Sequence, residues 1–341
     1  MKRIGILTGG GDCPGLNAAI RAVVRKAVGV HRWEVLGFGD GWRGVMEGTA
    51  RELTAESVQG ILHRGGTILG SSGSNPYHEG GIDRIRSTFQ DLEIDGLVAI
   101  GGEGTLSAAA RMADDGLPVI GIPKTIDNDI SGTDACIGFA TAVQVATDAI
   151  DRLHTTAESH DRLMLVEVMG RSAGWIALEA GLAGGADAIM IPERPFDVAD
   201  VATHLRRRHR RGHSFSIVVV AEGAIPVEGT MELPDYPLDE RGFPRFGGIA
   251  PLLAPRLEEA TGWETRVTVL GHVQRGGSPV AADRVLATRF GSAAVDLAAR
   301  DGWGRMVAIH GVDVVDIALA EAAKVRPVPE DLYRVAEVFF V

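Results

Sequence analysis

The sequence predicts an α/β protein of two doubly wound, mostly parallel sheets with helices on both faces. Three observations carry that expectation. A unit of apolar strand, glycine-rich turn and amphipathic helix recurs along the chain. The 45 glycines, nearly twice the ~7% average, fall mainly in short clusters between apolar runs. The 341 residues exceed the roughly 250–300 at which a single core stops growing, which implies two domains.

The first unit runs from a strand over Arg3 to Thr8 into Gly9-Gly10-Gly11-Asp12-Cys13-Pro14-Gly15. A helix over Asn17 to Val28 follows, with Ile20, Val23, Val24 and Ala27 on one face. The unit recurs as Gly96 to Ile100, the turn Gly101-Gly102-Glu103-Gly104-Thr105, and a helix over Leu106 to Ala113. A third strand, Pro118 to Ile122, leads into Pro123-Lys124-Thr125-Ile126-Asp127-Asn128-Asp129. A long helix, about Phe139 to Glu158, opens a second series. Its strands are Arg162 to Met169, Ala188 to Ile191, Phe215 to Ala221 and Glu264 to Leu270; its helices are Gly174 to Gly181, Val198 to Arg211, Ile249 to Thr261 and Ala281 to Arg300. Ala224 to Gly248, rich in Pro, Gly and charge, reads as a surface loop or insertion.

Composition narrows the function. With 34 basic against 45 acidic side chains, net −11, the chain lacks the clustered positive charge of a general nucleic-acid or membrane-surface binder. The run Arg206 to Arg211 reads as a solvated helix end. Two cysteines, Cys13 and Cys136, provide neither a disulfide framework nor a four-cysteine metal site, and suit a reducing, cytoplasmic setting. The first apolar run meets glycines too early for a signal peptide, and no run approaches the ~18 apolar residues of a membrane span.

In open parallel sheets ligands bind beyond the carboxyl ends of the strands, and the polar clusters fall there. Gly9 to Gly15 would let backbone approach a phosphate at a helix N-terminus, although a plain tight turn fits equally. The spacing is not that of the dinucleotide fingerprint, and no Gly-Lys-Ser or Gly-Lys-Thr is present for a Walker A loop. In the Gly101 to Thr105 turn a carboxylate sits among backbone donors, as a magnesium nucleotide requires; a helix cap is the alternative. Asp127 and Asp129, two residues apart, suit proton abstraction from a hydroxyl nucleophile, and equally an Asx turn. Arg162, Arg171, Arg266, His272 and Arg275 all fall at predicted strand ends or the turns after them, where a phosphorylated sugar would need cations.

Taken together and in order, Gly10 to Arg21, Gly101 to Thr105, Pro123 to Asp129, Glu167-Val168-Met169-Gly170-Arg171, Glu264-Thr265-Arg266 and Gly271 to Gly277 resemble the 6-phosphofructokinase family over nearly the whole chain. The resemblance implies that family's fold. It places a nucleotide-binding domain at residues 1–138 plus about 250–301, and a sugar-phosphate domain at about 139–249 plus 302–341.

It also implies transfer of a phosphoryl group from magnesium ATP to the 1-hydroxyl of fructose 6-phosphate. Asp127 matches the general base, Thr125 and Asp129 flank the transfer, and Arg171 matches the cation on the transferring group. Thr125, Ile126, Asp127, Met169, Gly170, Arg171 and Glu222 match acceptor contacts, with Glu222 on the sugar hydroxyls. His272, Val273, Gln274 and Arg275 match the 6-phosphate segment, and Arg162 and Arg266 match 6-phosphate ligands that a neighbouring subunit supplies, so a homo-oligomer, typically a tetramer, is implied.

On the donor side Gly10, Gly11, Gly102, Glu103, Gly104 and Thr105 match the nucleotide site, with Glu103 at the magnesium position. Gly104 is what ATP users carry, where diphosphate users have Asp; Lys124 is what diphosphate users carry, where many ATP users have Gly. Gly73 stands where many ATP users have a phosphate-clamping Arg. Arg21 and Arg25 match effector-site cations, while His154 and His213 replace an Arg and a Lys there. Three other classes fit less well: a lipid or dinucleotide kinase lacks the sugar-phosphate cations, a nicotinamide oxidoreductase requires the missing fingerprint, and a catalytically silent metabolite-binding subunit does not require Asp127, Asp129 and Arg171.

Overall fold

The structure is a computed structural model, describing residues 1–78, 80–235 and 247–340. In chain order its elements are β1 (Arg3–Thr8), α1 (Leu16–Gly29), β2 (Glu34–Phe38), α2 (Trp42–Glu47), β3 (Ala50–Glu52), α3 (Ile82–Asp91), β4 (Gly96–Gly101), α4 (Glu103–Asp114), β5 (Val119–Pro123) and α5 (Phe139–His160). Then follow β6 (Leu163–Val168), α6 (Trp175–Ala183), β7 (Ala188–Met190), α7 (Val198–Arg210), β8 (Ser216–Ala221), α8 (Ala250–Thr261) and β9 (Thr265–Val269). The chain closes with α9 (Ala281–Ala299), β10 (Arg305–His310), β11 (Asp313–Ala318) and α10 (Glu330–Glu337). Every strand and helix expected from periodicity is present, with boundaries shifted by a few residues.

Two compact units result, Met1–Thr141 with Arg275–Arg326, and Ala142–Gln274 with Pro327–Val341. This differs from the expected division. Residues 250–274 go with the second unit, because β9 pairs in parallel with β6 (Leu163 opposite Thr265) and α8 packs on α7. Residues 302–326 go with the first, because β10 pairs with β5 and β11. The second half of the expected insertion, 236–246, lies outside the described residues.

In the first unit the sheet order is β11-β10-β5-β4-β1-β2-β3, parallel except for its two edge strands. β4 and β5 are buried along their whole length, as strands covered on both faces must be, which explains their unbroken apolar sequence. Leu7, Phe38, Trp42, Leu97, Leu106 and Met306 pack one side of this sheet. The chain leaves β1 for β2 on one side, while β4 returns on the other, so the strand order reverses between β1 and β4. That crevice is where a doubly wound sheet binds its ligand.

In the second unit the order is β7-β8-β6-β9, all parallel, with Val168 opposite Ala221. Leu163, Leu165, Val218 and Val220 alternate with residues of the opposite face and pack against Leu205, Leu253 and Leu257 of the helices. Among the described residues no helix is long and apolar enough to cross a membrane.

Candidate active site

In the first unit three turns meet at the carboxyl ends of β1, β4 and β5. The turn after β1 is tied to its neighbours through backbone: Gly9 N donates to Ile100 O (2.9 Å) and Gly10 N to Ser72 O (3.0 Å), with Gly10 at φ +79°. Close approach demands the glycines here. A Cβ on Gly9 would lie 2.6 Å from Thr105 Oγ1, and one on Gly11 would lie 2.8 Å from Arg275 Nη1. Gly73 adjoins Ser72 and so borders this turn.

The turn after β4 opens α4, with Gly102 as its N-cap and Glu103 in its first turn. The first backbone N–H groups of a helix have no intrahelical acceptor, so they and the carboxylate face any ligand together. Glu103 Oε1 accepts from Ser107 Oγ (3.0 Å), one turn further along α4. Gly104 is exposed, and a Cβ built on it meets nothing within 4 Å. Thr105 is buried and wedges between Gly9 and Gly101.

After β5, Lys124 is buried and its Nζ donates to the carbonyls of Gly9 (2.9 Å) and Gly11 (2.5 Å). Asp127 is 4% exposed, and its N–H donates to Thr125 Oγ1 (3.1 Å). Ile126 is fully buried between them.

Asn128, which the sequence reading passed over, sets this turn. It adopts φ +53°, a region Asn tolerates better than most residues, and its side chain is locked at both ends: Cys136 N donates to Oδ1 (2.9 Å) and Nδ2 donates to Asp134 O (3.3 Å). Behind it Asp283 accepts from Gly138 N (2.9 Å), Thr141 N (2.8 Å) and Thr141 Oγ1 (2.5 Å), satisfying the start of α5 from another element. Burial pushes the Cys13 thiol up to about 12 and the Cys136 thiol higher, so neither is a nucleophile.

In the second unit β6 ends in Met169-Gly170-Arg171 and β8 in Glu222, adjacent strands in one register. Gly170 stands at φ +147° with its Cβ direction closed by Ala173 O at 2.5 Å, and Arg171 at φ +53°. Glu222 Oε1 accepts from the backbone N–H of both, at 3.3 and 3.0 Å. Beside Glu222 is a cavity of about 620 Å³, walled by Ser172, Glu193, Gly223, Ala224 and Ile249. Glu167, on β6, is a second residue the sequence reading missed. Its buried Oε2 accepts from Ala250 N (2.8 Å), capping α8 where the local residue Ile249 cannot. Burial, and secondarily the nearby Glu222, raise its pKa.

The five strand-end cations divide. His272 and Arg171 follow the carboxyl ends of β9 and β6, whereas Arg162 precedes β6 and Arg266 is the second residue of β9, at the amino ends. There both pair with Glu264, Arg162 Nε at 2.9 Å. With six residues in β6 at ~3.3 Å each, roughly 20 Å of strand separates the two groups. Of the segment 272–275, His272 and Val273 are exposed, while Gln274 is buried and closes its own turn onto Gly271 O (3.0 Å). Arg275 belongs to the first unit, over Gly11, and donates to Asp12 O (3.3 Å).

The first unit presents glycine turns with a carboxylate at a helix start and a buried aspartate, and the second an arginine in a constrained turn, residue types that phosphoryl transfer employs. The phosphofructokinase family matches residues 3–298. The chain is 56% identical over 340 residues to the pyrophosphate–fructose 6-phosphate 1-phosphotransferase of Amycolatopsis methanolica, covering 99% of each. It is 55% identical over 346 residues to the ATP-dependent 6-phosphofructokinase 2 of Streptomyces coelicolor, covering 99% of this chain and 100% of that one. The solved phosphofructokinase from Saccharomyces cerevisiae superposes with a TM-score of 0.81 at 33% identity, spanning 99% of this chain and 47% of that one. The chain belongs to the phosphofructokinase family and is a phosphotransferase enzyme.

Proposed function

We propose that the enzyme transfers the terminal phosphoryl group of magnesium ATP to the 1-hydroxyl of fructose 6-phosphate, giving fructose 1,6-bisphosphate and ADP, as a glycolytic step in the cytoplasm. The observation that carries the donor is Gly104: an exposed first-turn residue with open space where a side chain would stand leaves room for a nucleotide's α-phosphate.

In this reading Asp127 takes the proton of the 1-hydroxyl as that oxygen attacks the terminal phosphorus, and the bond to the leaving phosphate oxygen breaks. Thr125 and Asn128 hold the Asp127 turn, and Asp129 flanks the transfer. Arg171 stabilises charge on the transferring group, Glu222 and the Met169-Gly170 backbone hold the sugar, and His272, Val273, Gln274 and Arg275 take the 6-phosphate. Gly10, Gly11 and the Gly102 to Thr105 turn hold the nucleotide. Glu103 fits magnesium, a hard cation that takes one or two carboxylates and completes its shell with phosphate oxygens and water. When bound, it neutralises phosphate charge.

Arg162 and Arg266 lie at the amino ends of β6 and β9, whose carboxyl ends lead into Arg171 and His272. That separation supports their serving a neighbouring subunit's site, hence a homo-oligomer with shared sites.

Diphosphate as donor is the second reading. Lys124 is the residue that diphosphate users of the family resemblance carry, and relatives named for each donor are almost equally similar to the chain. Assay of fructose 6-phosphate phosphorylation with magnesium, comparing ATP with diphosphate, tests the choice.

A further inference from the structure

Lys124 is one of four lysines in the chain, with Lys2, Lys26 and Lys324. It is 2% exposed, and its ammonium is committed to the protein's own backbone, through the carbonyls of Gly9 and Gly11 at 2.9 and 2.5 Å. Those carbonyls flank Gly10, the left-handed residue of the turn. A buried ammonium is tolerated only where acceptors and opposite charge surround it. Here burial lowers its pKa, with Arg275 adding to that, while Cys13 and the carboxylates of Asp12 and Asp127 oppose it. Of its three N–H groups, two are engaged.

We propose that Lys124 acts on phosphoryl transfer as a positioning residue, by clamping the Gly9–Gly11 turn, and not as a ligand of the donor's phosphates. The proposal rests on the reading of that turn as the donor site. Its consequence is that Lys124 supports either donor alike, because both would lie on the same backbone.

Two measurements test it. Native labelling with an amine-reactive reagent, mapped by peptide mass spectrometry, should modify the exposed Lys324 and leave Lys124 unmodified in the free protein. Added diphosphate or magnesium ATP should change Lys124 labelling less than two-fold. Lys124 that labels readily in the free protein and is protected five-fold or more by diphosphate would instead be a direct ligand. Lys124→Met should speed amide hydrogen exchange in Thr8–Gly15 by at least ten-fold without any ligand. It should also lower kcat/KM at least ten-fold for each donor the parent uses. Unchanged exchange with ATP use intact would overturn the clamp. Labelling needs only the parent, so it decides even if the variant does not fold. A parent active with neither donor would refute the donor-site reading while labelling and exchange still judged the clamp.

Discussion

The carboxylate of Glu222 holds the backbone N–H of Arg171 at 3.0 Å and that of Gly170 at 3.3 Å. Arg171 stands at φ +53°, where a non-glycine residue is strained by about 1 kcal/mol or more, so these two bonds fix a turn that would otherwise relax. Glu222→Ala should therefore lower kcat by about 10-fold or more, besides raising KM for fructose 6-phosphate, whereas Glu222→Gln keeps an acceptor oxygen and much of kcat. In an Arg171→Gly background Glu222→Ala should lose its effect on kcat and keep that on KM. Steady-state kinetics of this cycle would contradict the clamp if the kcat losses simply multiplied.

Asp127 is buried in a turn held by Thr125 and Asn128. Asp127→Asn should leave fructose 6-phosphate binding nearly intact while turnover falls by ~10²–10⁴, the range for a positioned general base. Calorimetric binding beside turnover checks both halves, and turnover within a few-fold of the parent would remove Asp127 from that role.

The amino-end placement of Arg162 and Arg266 leads to a mixing experiment. Inactive Asp127→Asn chains combined with inactive Arg162→Ala chains should regain part of the parent activity once subunits exchange, because some sites then draw one intact half from each. No recovery after verified exchange would mean that one chain builds the whole site.

Burial raises the pKa of Glu167, Asp187 and Asp283 above ordinary carboxylate values. A raised folded-state pKa means the folded chain binds the proton more tightly. The resulting stabilisation is full below the unfolded value, about 4, and is lost as pH rises through the folded value. Glu167→Gln retains an acceptor for Ala250 N and removes that titration, so its Tm should fall less than the parent's between pH 4.5 and 7.5. Equal slopes would contradict the sign. By contrast, Asp283→Ala abandons three buried donors at the start of α5 and should cost about 2–4 kcal/mol in denaturant unfolding.

Much of the fold was legible because its strands are buried on both faces. The sequences of β4, β6 and β8 are near-continuous apolar runs bounded by glycine turns. The edge strands β3 and β11 left no such trace, since a three-residue strand and one without a buried residue read like loops. The domain division failed for a related reason: which sheet β9 and β10 join is decided by pairing, not by local pattern. At the candidate site, glycine clusters and Asp127 announce themselves by type and spacing. Asn128, Glu167 and Asp283 do not, because each acts through bonds to backbone groups that local sequence does not reveal. The five cations looked like one set because periodicity marks strand ends without saying which end faces the site.

The most direct test is the donor comparison in the parent and in Gly104→Asp. A Cβ at Gly104 meets nothing within 4 Å, so the substitution starts in open space, and a Tm of the variant beside the kinetics separates an effect on the donor from one on stability. A carboxylate there would repel an α-phosphate in a partly water-excluded site. Steady-state kcat/KM for magnesium ATP and for diphosphate should show a parent that uses ATP and barely uses diphosphate, and a variant whose ATP use drops at least ~10-fold, or about 1.4 kcal/mol. A parent that prefers diphosphate, or a variant whose use of ATP is unchanged, would contradict the account.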